Sequence, residues 1–475
     1  MSIEKFGSVF LVFLTALSLC LVSGFLPIRE DSIISPTSSA PHSIAQAKIE
    51  HAPVLIISES DFATLGFSGA GSLEDPYVID NLWIHGSHSY GISIINIDAY
   101  VSIRNVRVEL DDGFSLFFRD CLSIVLQDVD VIGGWEGVSA LDCTSLNMTD
   151  CRLEDIDDIG LSVLDTSFHS VVSTSFLRCN SAAVIDGGFL SYNNVNVTGG
   201  FGGIRVGGAV SSSFVNCHFS DCALSGLLLA STTLMTIHGN TFNNCSIQML
   251  GSNILHWTHI VYDNTVNGKP LGYLLMDEGS VIDLNDYGAM FVVLSNGTKL
   301  QGGTFSNVTV GITMVFSSNC IINGTSFEMC DLAIALTSCI LTTILDCTVS
   351  NGGSGLDVMD CANITIEHNS FLNLDMGLAL NWRTSNCSIV SNLFVTSTLS
   401  DNGHNNLWYG NTYDDYDLSG LYEIPGSASS IDTNPSKYTH QADLEMMFLI
   451  ESIPAIIVAV VIILIVNWKL SKIKE

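Results

Sequence analysis

A spacing of 22 residues constrains this chain more than any other feature. Gly311, Ala333, Gly355 and Gly377 stand 22 apart, and behind each small residue the same pattern returns. Ile312, Ile334, Leu356 and Leu378 follow one place later, and Met314, Leu336, Val358 and Leu380 follow three places later. A fixed repeat of this length marks a solenoid, whose coils bury their apolar faces only by stacking on their neighbours. Within a coil apolar and polar residues alternate, as in Ile312-Thr313-Met314, so the unit is built of strands. Short strands without a helical period or a leucine-rich consensus predict an all-β parallel β-helix with coils of about 22 residues.

The period runs back through Gly226, Gly203, Gly160 and Gly137 to Gly91. One column, at the same place in each coil, holds Asn105, Cys151, Thr174, Cys217, Asn240, Thr325, Cys347 and Asn369. Small polar side chains stacked at a turn are expected to form a ladder, each bonded to its counterpart one coil away. The cysteines obey the same register: Cys121, Cys143, Cys339 and Cys361 share a second column, and Cys179, Cys222, Cys245 and Cys330 a third. Placed by coil geometry, they read as buried turn fillers, because a free thiol behaves as a small hydrophobe. The adjacent-coil pairs Cys121/Cys143, Cys222/Cys245 and Cys339/Cys361 are candidates for disulfides in an oxidising compartment. No Cys-x-x-Cys and no zinc-type spacing occurs.

The two ends place the solenoid relative to a membrane. Lys5, the apolar run Val9 to Val22 and Ser23-Gly24 read as a signal peptide over residues 1–24. Residues 25–50, rich in Ser and Pro, read as a flexible stalk, and the solenoid is expected over 51–421. A linker over 422–445 leads to an apolar stretch, 446–468, long enough to span a bilayer as a helix. The basic tail 469–475, with Lys469, Lys472 and Lys474, puts the C-terminus in the cytoplasm and the ectodomain outside. A first segment left uncleaved would anchor both ends. The net charge of −32 argues against nucleic acid and other polyanions as partners.

Between 247 and 310 the period breaks, and Asn267-Gly268 signals a hairpin-like excursion. Loops that leave a rigid scaffold tend to build binding sites, so Trp257, Tyr262, Tyr273, Asp277 and Glu278 are the candidate binding residues. Near the C-terminal end, Asp415, Asp417 and Ser419 copy the first half of a calcium loop, although its twelfth position is Gly426 and not a bidentate Glu. No cofactor is required by any motif, and calcium is the one candidate. Asn147, Asn196, Asn244, Asn296, Asn307, Asn323, Asn363 and Asn386 head Asn-x-Ser/Thr sequons that permit N-glycosylation in a secreted chain.

Several segments together resemble one family. They are the Asp61-Phe62 entry with its Gly-rich turn and Asp75-Pro76-Tyr77, the run Asn264-Thr-Val-Asn-Gly-Lys-Pro-Leu271, and the close Asn405-Asn406-Leu407-Trp408 followed by Gly410-Asn411 and Asp415-Tyr416. With Ile424-Pro425-Gly426 and Ile431-Asp432, this pattern is similar to NosD-type right-handed β-helix repeat proteins over roughly residues 54–435. The resemblance implies a right-handed parallel β-helix of the pectin-lyase-like fold and an extracytoplasmic location. The named member is associated with copper delivery to nitrous oxide reductase, and relatives include carbohydrate-binding proteins and sugar hydrolases. This chain departs from the usual close, having Thr412-Tyr413 after Gly-Asn, and it lacks Met/His clusters suited to copper, so copper is not carried over.

Enzymes on this fold need opposed carboxylates, or a base with groups that neutralise a uronate. The coils show no Asn-Thr-Asp, Gly-His-Gly or Arg-x-Lys motif, and no residue is assigned a catalytic role. The expectation is therefore a membrane-anchored surface module for carbohydrate or another surface component. A polysaccharide lyase or hydrolase, and a metal-handling accessory protein, are the alternatives.

Overall fold

The computed structural model describes residues 48–438. The expected leader, most of the stalk, the 446–468 span and the tail lie outside the described residues. Among the described residues no helix is long and apolar enough to cross a membrane.

Each coil contributes three short strands, as in Ile159–Leu164, Phe168–Val172 and Ser175–Leu177. Each strand pairs in parallel with its counterpart one coil on: Ser181–Asp186, Phe189–Asn193 and Asn196–Thr198. The coils thus stack into a first, second and third sheet around a common interior. The register is the one the spacing predicts, for Ile312, Ile334, Leu356 and Leu378 are successive partners and all are buried. A Cβ on Gly355 would lie 2.4 Å from the Gly377 carbonyl oxygen and 2.6 Å from the Phe371 ring, which explains why that column favours the smallest residues.

The corner between the second and third sheets fixes a second column. It is one residue in the left-handed region, with φ from +48° to +68°, at Asp128, Asp150, Ser173, Asn194, Asn216, Gly239 and Asp263. Short polar residues and Gly tolerate that conformation, so the corners are rich in Asp and Asn. The next residue turns inward and forms the expected ladder. Asn240 accepts from Cys217 N at 2.8 Å and donates to Asn264 Oδ1 at 2.9 Å. A second run links Cys347, Asn369, Asn392 and Asn411 in the same way. Asn105, expected in this ladder, is instead a corner residue with φ +50°, and Val106 takes the inward position.

Aliphatic side chains fill the interior, with rings stacked across coils: Phe219 on Phe242 at 4.9 Å, Phe305 on Phe327 at 5.4 Å and Phe371 on Phe394 at 5.0 Å. All thirteen cysteines from Cys121 to Cys387 are buried, as turn fillers should be. They are free thiols, so the structure holds no bridge at the three candidate disulfide pairs. The neighbouring Cys143 thiol pushes Cys121 up and the Cys245 thiol pushes Cys222 up, with burial adding to both, and Cys339 N donates to Cys361 Sγ at 3.2 Å.

Both ends of the stack are capped, and order extends further at each end than the sequence suggests. Ile49–Glu50 already pairs with Leu82–Trp83, inside the expected stalk. The helix Glu59–Thr64 follows, held by the Asp61 carboxylate, which accepts from Ile57 N and Ser58 N. Its Phe62 is buried and stacks on Tyr77 at 4.1 Å. At the other end Tyr422–Glu423, Ile431–Asp432 and Ser436–Lys437 are strands, so the cap continues into the expected linker.

The expected 247–310 excursion keeps short strands but interrupts the stack. Ile247–Leu250, Ile260–Tyr262, Ala289–Val293 and Thr304–Ser306 all pair with neighbouring coils. Yet the parallel ladders stop here, since Ile247–Leu250, Ile260–Tyr262 and Thr265–Val266 pair in parallel only with the preceding coil, and the chain crosses to the next stack through the 3-10 turn Ile254–Trp257 and the hairpin that pairs Thr265–Val266 antiparallel with Lys269–Pro270 across Asn267-Gly268. Asn267 then bridges to Ser306 O at 2.8 Å, skipping a coil.

Candidate binding face

The residues that carry the family resemblance at the C-terminal end close the stack. Asp401 is fully buried and accepts from Gly403 N, Asn406 Nδ2, Trp408 Nε1 and Ser430 Oγ. Asp432, also fully buried, accepts from Gly410 N, Asn411 N and Nδ2, Tyr413 Oη and Asn434 N. The Asn-Asn-x-Trp and Gly-Asn motifs therefore wrap two carboxyl groups, and that arrangement satisfies the last coil.

The five candidate binding residues do not converge. Trp257 is buried and donates from Nε1 to Gly251 O at 3.1 Å. Tyr273 donates its hydroxyl to Trp257 O and accepts from His259 N, and burial pushes its phenol up to about 12. These two rings plug the break between coils. Asp277 accepts from the Ser280 and Thr298 hydroxyls, which hold its carboxyl below the ordinary value, so it caps a turn. Glu278 is exposed beside it. Only Tyr262 stands on an open face, stacked on His238 with ring centroids 4.0 Å apart.

The calcium candidate fares similarly. Asp417 accepts from the hydroxyl and backbone N of Ser419, while Asp415 accepts from the Tyr422 hydroxyl, so the two carboxylates serve their own turns. No group of three or more His, Cys, Asp or Glu side chains among the described residues could hold a metal ion. Of the sequons, Asn244, Asn296, Asn307, Asn363 and Asn386 are exposed, and Asn147, Asn196 and Asn323 are half-buried. None belongs to the buried ladder.

Two surfaces remain as places for a ligand. A cleft of about 250 Å³ opens near the break, lined by Asp221, Cys222, Asn244, Cys245, Met329 and Asp331 among others. Asp331 is open to solvent on one edge, yet partial burial against the cleft wall pushes its carboxyl up to about 6. No arginine lines this cleft. Elsewhere six of the seven arginines among the described residues, all except Arg205, are paired with carboxylates.

The other surface is the outer face of the second sheet. Its strands Ser145–Thr149, Phe168–Val172, Phe189–Asn193, Ser213–Val215, Thr236–His238 and Ile260–Tyr262 contain no Asp, Glu, Lys or Arg. In a chain of net charge −32, these six successive strands, with the five uncharged third-sheet strands beside them, make an uncharged region. Alternate side chains of a strand point the same way, so Ser170, Ser191, Ser213 and Thr236 form one outward row, each the partner of the next. Phe168 and Phe189 flank that row, 55% and 50% exposed and stacked at 5.5 Å. His238 and Tyr262 stand at its far end, where Tyr262 links the face to the sequence-based candidates. The signal for this face lies in the sequence as a lack of charge, visible only once the coils are aligned.

Three parallel sheets around an apolar interior, with a capped entry and close, define a parallel β-helix protein. It is a NosD-like right-handed member of that class. The family described as periplasmic copper-binding protein (NosD) matches residues 73–273, and the right-handed β-helix region matches residues 272–394. The donor groups present do not fit a copper centre, since no cluster of His, Cys, Asp or Glu converges among the described residues. No curated protein matches the chain. Similar solved structures include the mannuronan C-5 epimerase AlgE6 A-module of Azotobacter vinelandii, at 12% identity over 82% of this chain and 89% of that one, with TM-score 0.22. The periplasmic alginate epimerase AlgG is 8% identical over 83% and 84%, with TM-score 0.21. A PL6 alginate lyase in complex with a trisaccharide is 10% identical over 84% and 97%, with TM-score 0.21. Likenesses at these TM-scores say nothing about this chain's substrate.

Proposed function

We propose that this chain is a membrane-anchored extracytoplasmic module that binds neutral carbohydrate without turning it over, through the outer face of the second sheet. The anchor and leader are read from sequence, at 446–468 and 1–24. The observation that carries the binding role is the uncharged face, where aromatic rings and hydroxyls stand together in a strongly acidic protein. Exposed rings stack on the apolar faces of sugars, and hydroxyls exchange hydrogen bonds with sugar hydroxyls. An acidic surface whose arginines are nearly all paired disfavours uronates and other polyanions.

A glycan array probed with the full-length chain in a detergent lacking a sugar headgroup tests this reading. Retention on neutral glycans, lost in a Phe168→Ala/Phe189→Ala variant, is expected. Absence of any neutral hit rejects it. An enzyme acting on polysaccharide is the second reading, favoured by Asp221 and Asp331 beside one cleft. Release of reducing ends from a bound glycan, abolished by Asp331→Asn, would establish that reading in place of the first.

A further inference from the structure

The row Ser170, Ser191, Ser213 and Thr236 has a second property. None of these four hydroxyls bonds to any protein group among the described residues. The inward-facing Thr166, Thr174 and Ser212, by contrast, all donate to backbone carbonyls. The row therefore offers one uncommitted hydroxyl per coil, at the strand separation of about 4.8 Å.

On one side the row is walled by Phe168 and Phe189, and on the other by Val172, Val215, His238 and Tyr262. Acidic corners stand near the two ends of the row, Asp142, Asp150 and Asp165 at one end and Asp263 at the other, while the corners beside it toward the third sheet are Ser173, Asn194, Asn216 and Gly239. Along the stack the same group recurs coil after coil.

A periodic site is matched best by a periodic ligand whose repeat is close to its own. A linear chain of pyranose rings in extended linkage has such a repeat, and it carries both hydroxyls for the row and apolar ring faces for the walls. A molecule of net charge −32 with no cationic side chain on this face favours a neutral one. We infer that the ligand is an extended, neutral, linear glycan laid parallel to the solenoid axis, one sugar per coil from Phe168 to Tyr262. This rests on the carbohydrate reading above and narrows it to a chain-length-dependent mode.

The test is titration calorimetry of the full-length chain, in the same sugar-free detergent, with cello-, xylo- and manno-oligosaccharides of two to eight units. Affinity in at least one series is expected to rise by about tenfold or more from two to five units, then to change by less than about twofold up to eight. Ser213→Lys, which puts a long charged side chain in the middle of the row, is expected to weaken the longer ligands by about tenfold while leaving the thermal midpoint unchanged. Equal affinity for two and six units, or no effect of Ser213→Lys, overturns the axial mode while carbohydrate binding stands. No binding in any series, together with an array lacking neutral hits, overturns the carbohydrate reading itself.

Discussion

Asn411 donates from Nδ2 to Asp432 at 2.8 Å, and with that bond the asparagine ladder ends on a carboxyl group. Each asparagine above it hands its amide to the next coil, and the last coil has no successor. Asp432 takes the place of the missing coil.

Replacing Asp432 with Ala removes the acceptor of five donors, of which Asn411 N and Tyr413 Oη are left buried and without that partner. A loss of about 3–5 kcal/mol is expected, concentrated at the C-terminal coils because solenoid repeats couple mainly to their neighbours. Limited proteolysis should cut first between 393 and 438, with the urea midpoint lowered. An unchanged cleavage pattern and midpoint would remove the capping role.

Within the ladder, Asn369→Leu removes a donor to Ile344 O and an acceptor for Cys347 N, at a cost of about 2–3 kcal/mol. Asn369→Thr should cost about half as much, since Thr and Cys stand at this row in other coils. Equal destabilisation by Leu and Thr would mean that the amide itself matters little.

The thiols make a separate test. Burial pushes Cys151 up to about 11 and Cys179, Cys330 and Cys387 up to about 12, so few thiolates form at neutral pH. The thirteen thiols from Cys121 to Cys387 should react slowly with a disulfide reagent in the native protein and completely in denaturant. A count of 13 − 6 = 7 from these positions would show instead that the three adjacent pairs had oxidised.

Acid should destabilise the fold through two histidines. Neither ring nitrogen of His169 has a partner, and burial pushes it down to about 4. His259 is also held down to about 4 by burial; as a neutral ring it accepts from Met235 N and donates to His256 O. In the unfolded chain both take a proton near pH 6.5, which the folded state refuses until about pH 4. Stability is therefore lost as pH falls through that window, by up to about 3 kcal/mol per histidine. Asp331, raised to about 6, works in the opposite direction over part of the same range. Urea midpoints at pH 7.5 and 4.5 should differ accordingly, and His169→Leu should flatten the difference. A midpoint independent of pH in both proteins contradicts the assignment.

The architecture was legible because burial repeats. Ile312, Ile334 and Leu356 must meet one another, so their spacing reports the coil directly. The outward residues face solvent and need not match, which is why Phe168, Ser213 and Ile260 do not announce themselves as parts of one face. Trp257 and Tyr273 misled for the converse reason: aromatic residues in an irregular stretch resemble a binding loop, whereas here they fill the gap where one coil departs from the next. Trp408 and Asn411 were visible as a motif, but their role depends on Asp401 and Asp432, each at least seven residues away in sequence.

The charge of the molecule argues against a polyuronate as its ligand. Arg178 is shared between Glu154 and Asp155, and Arg383 is held by Asp360, so these cations already face carboxylates of the same chain. A uronate approaching the coils meets net charge −32 with almost no free arginine to neutralise it. Affinity electrophoresis in gels containing alginate should show no retardation at low salt. Any weak association should strengthen as salt is added, because screening relieves repulsion between like charges. Binding to alginate that is tight at low salt and lost at high salt would require a cationic surface that the paired arginines do not provide, and would count against a neutral ligand.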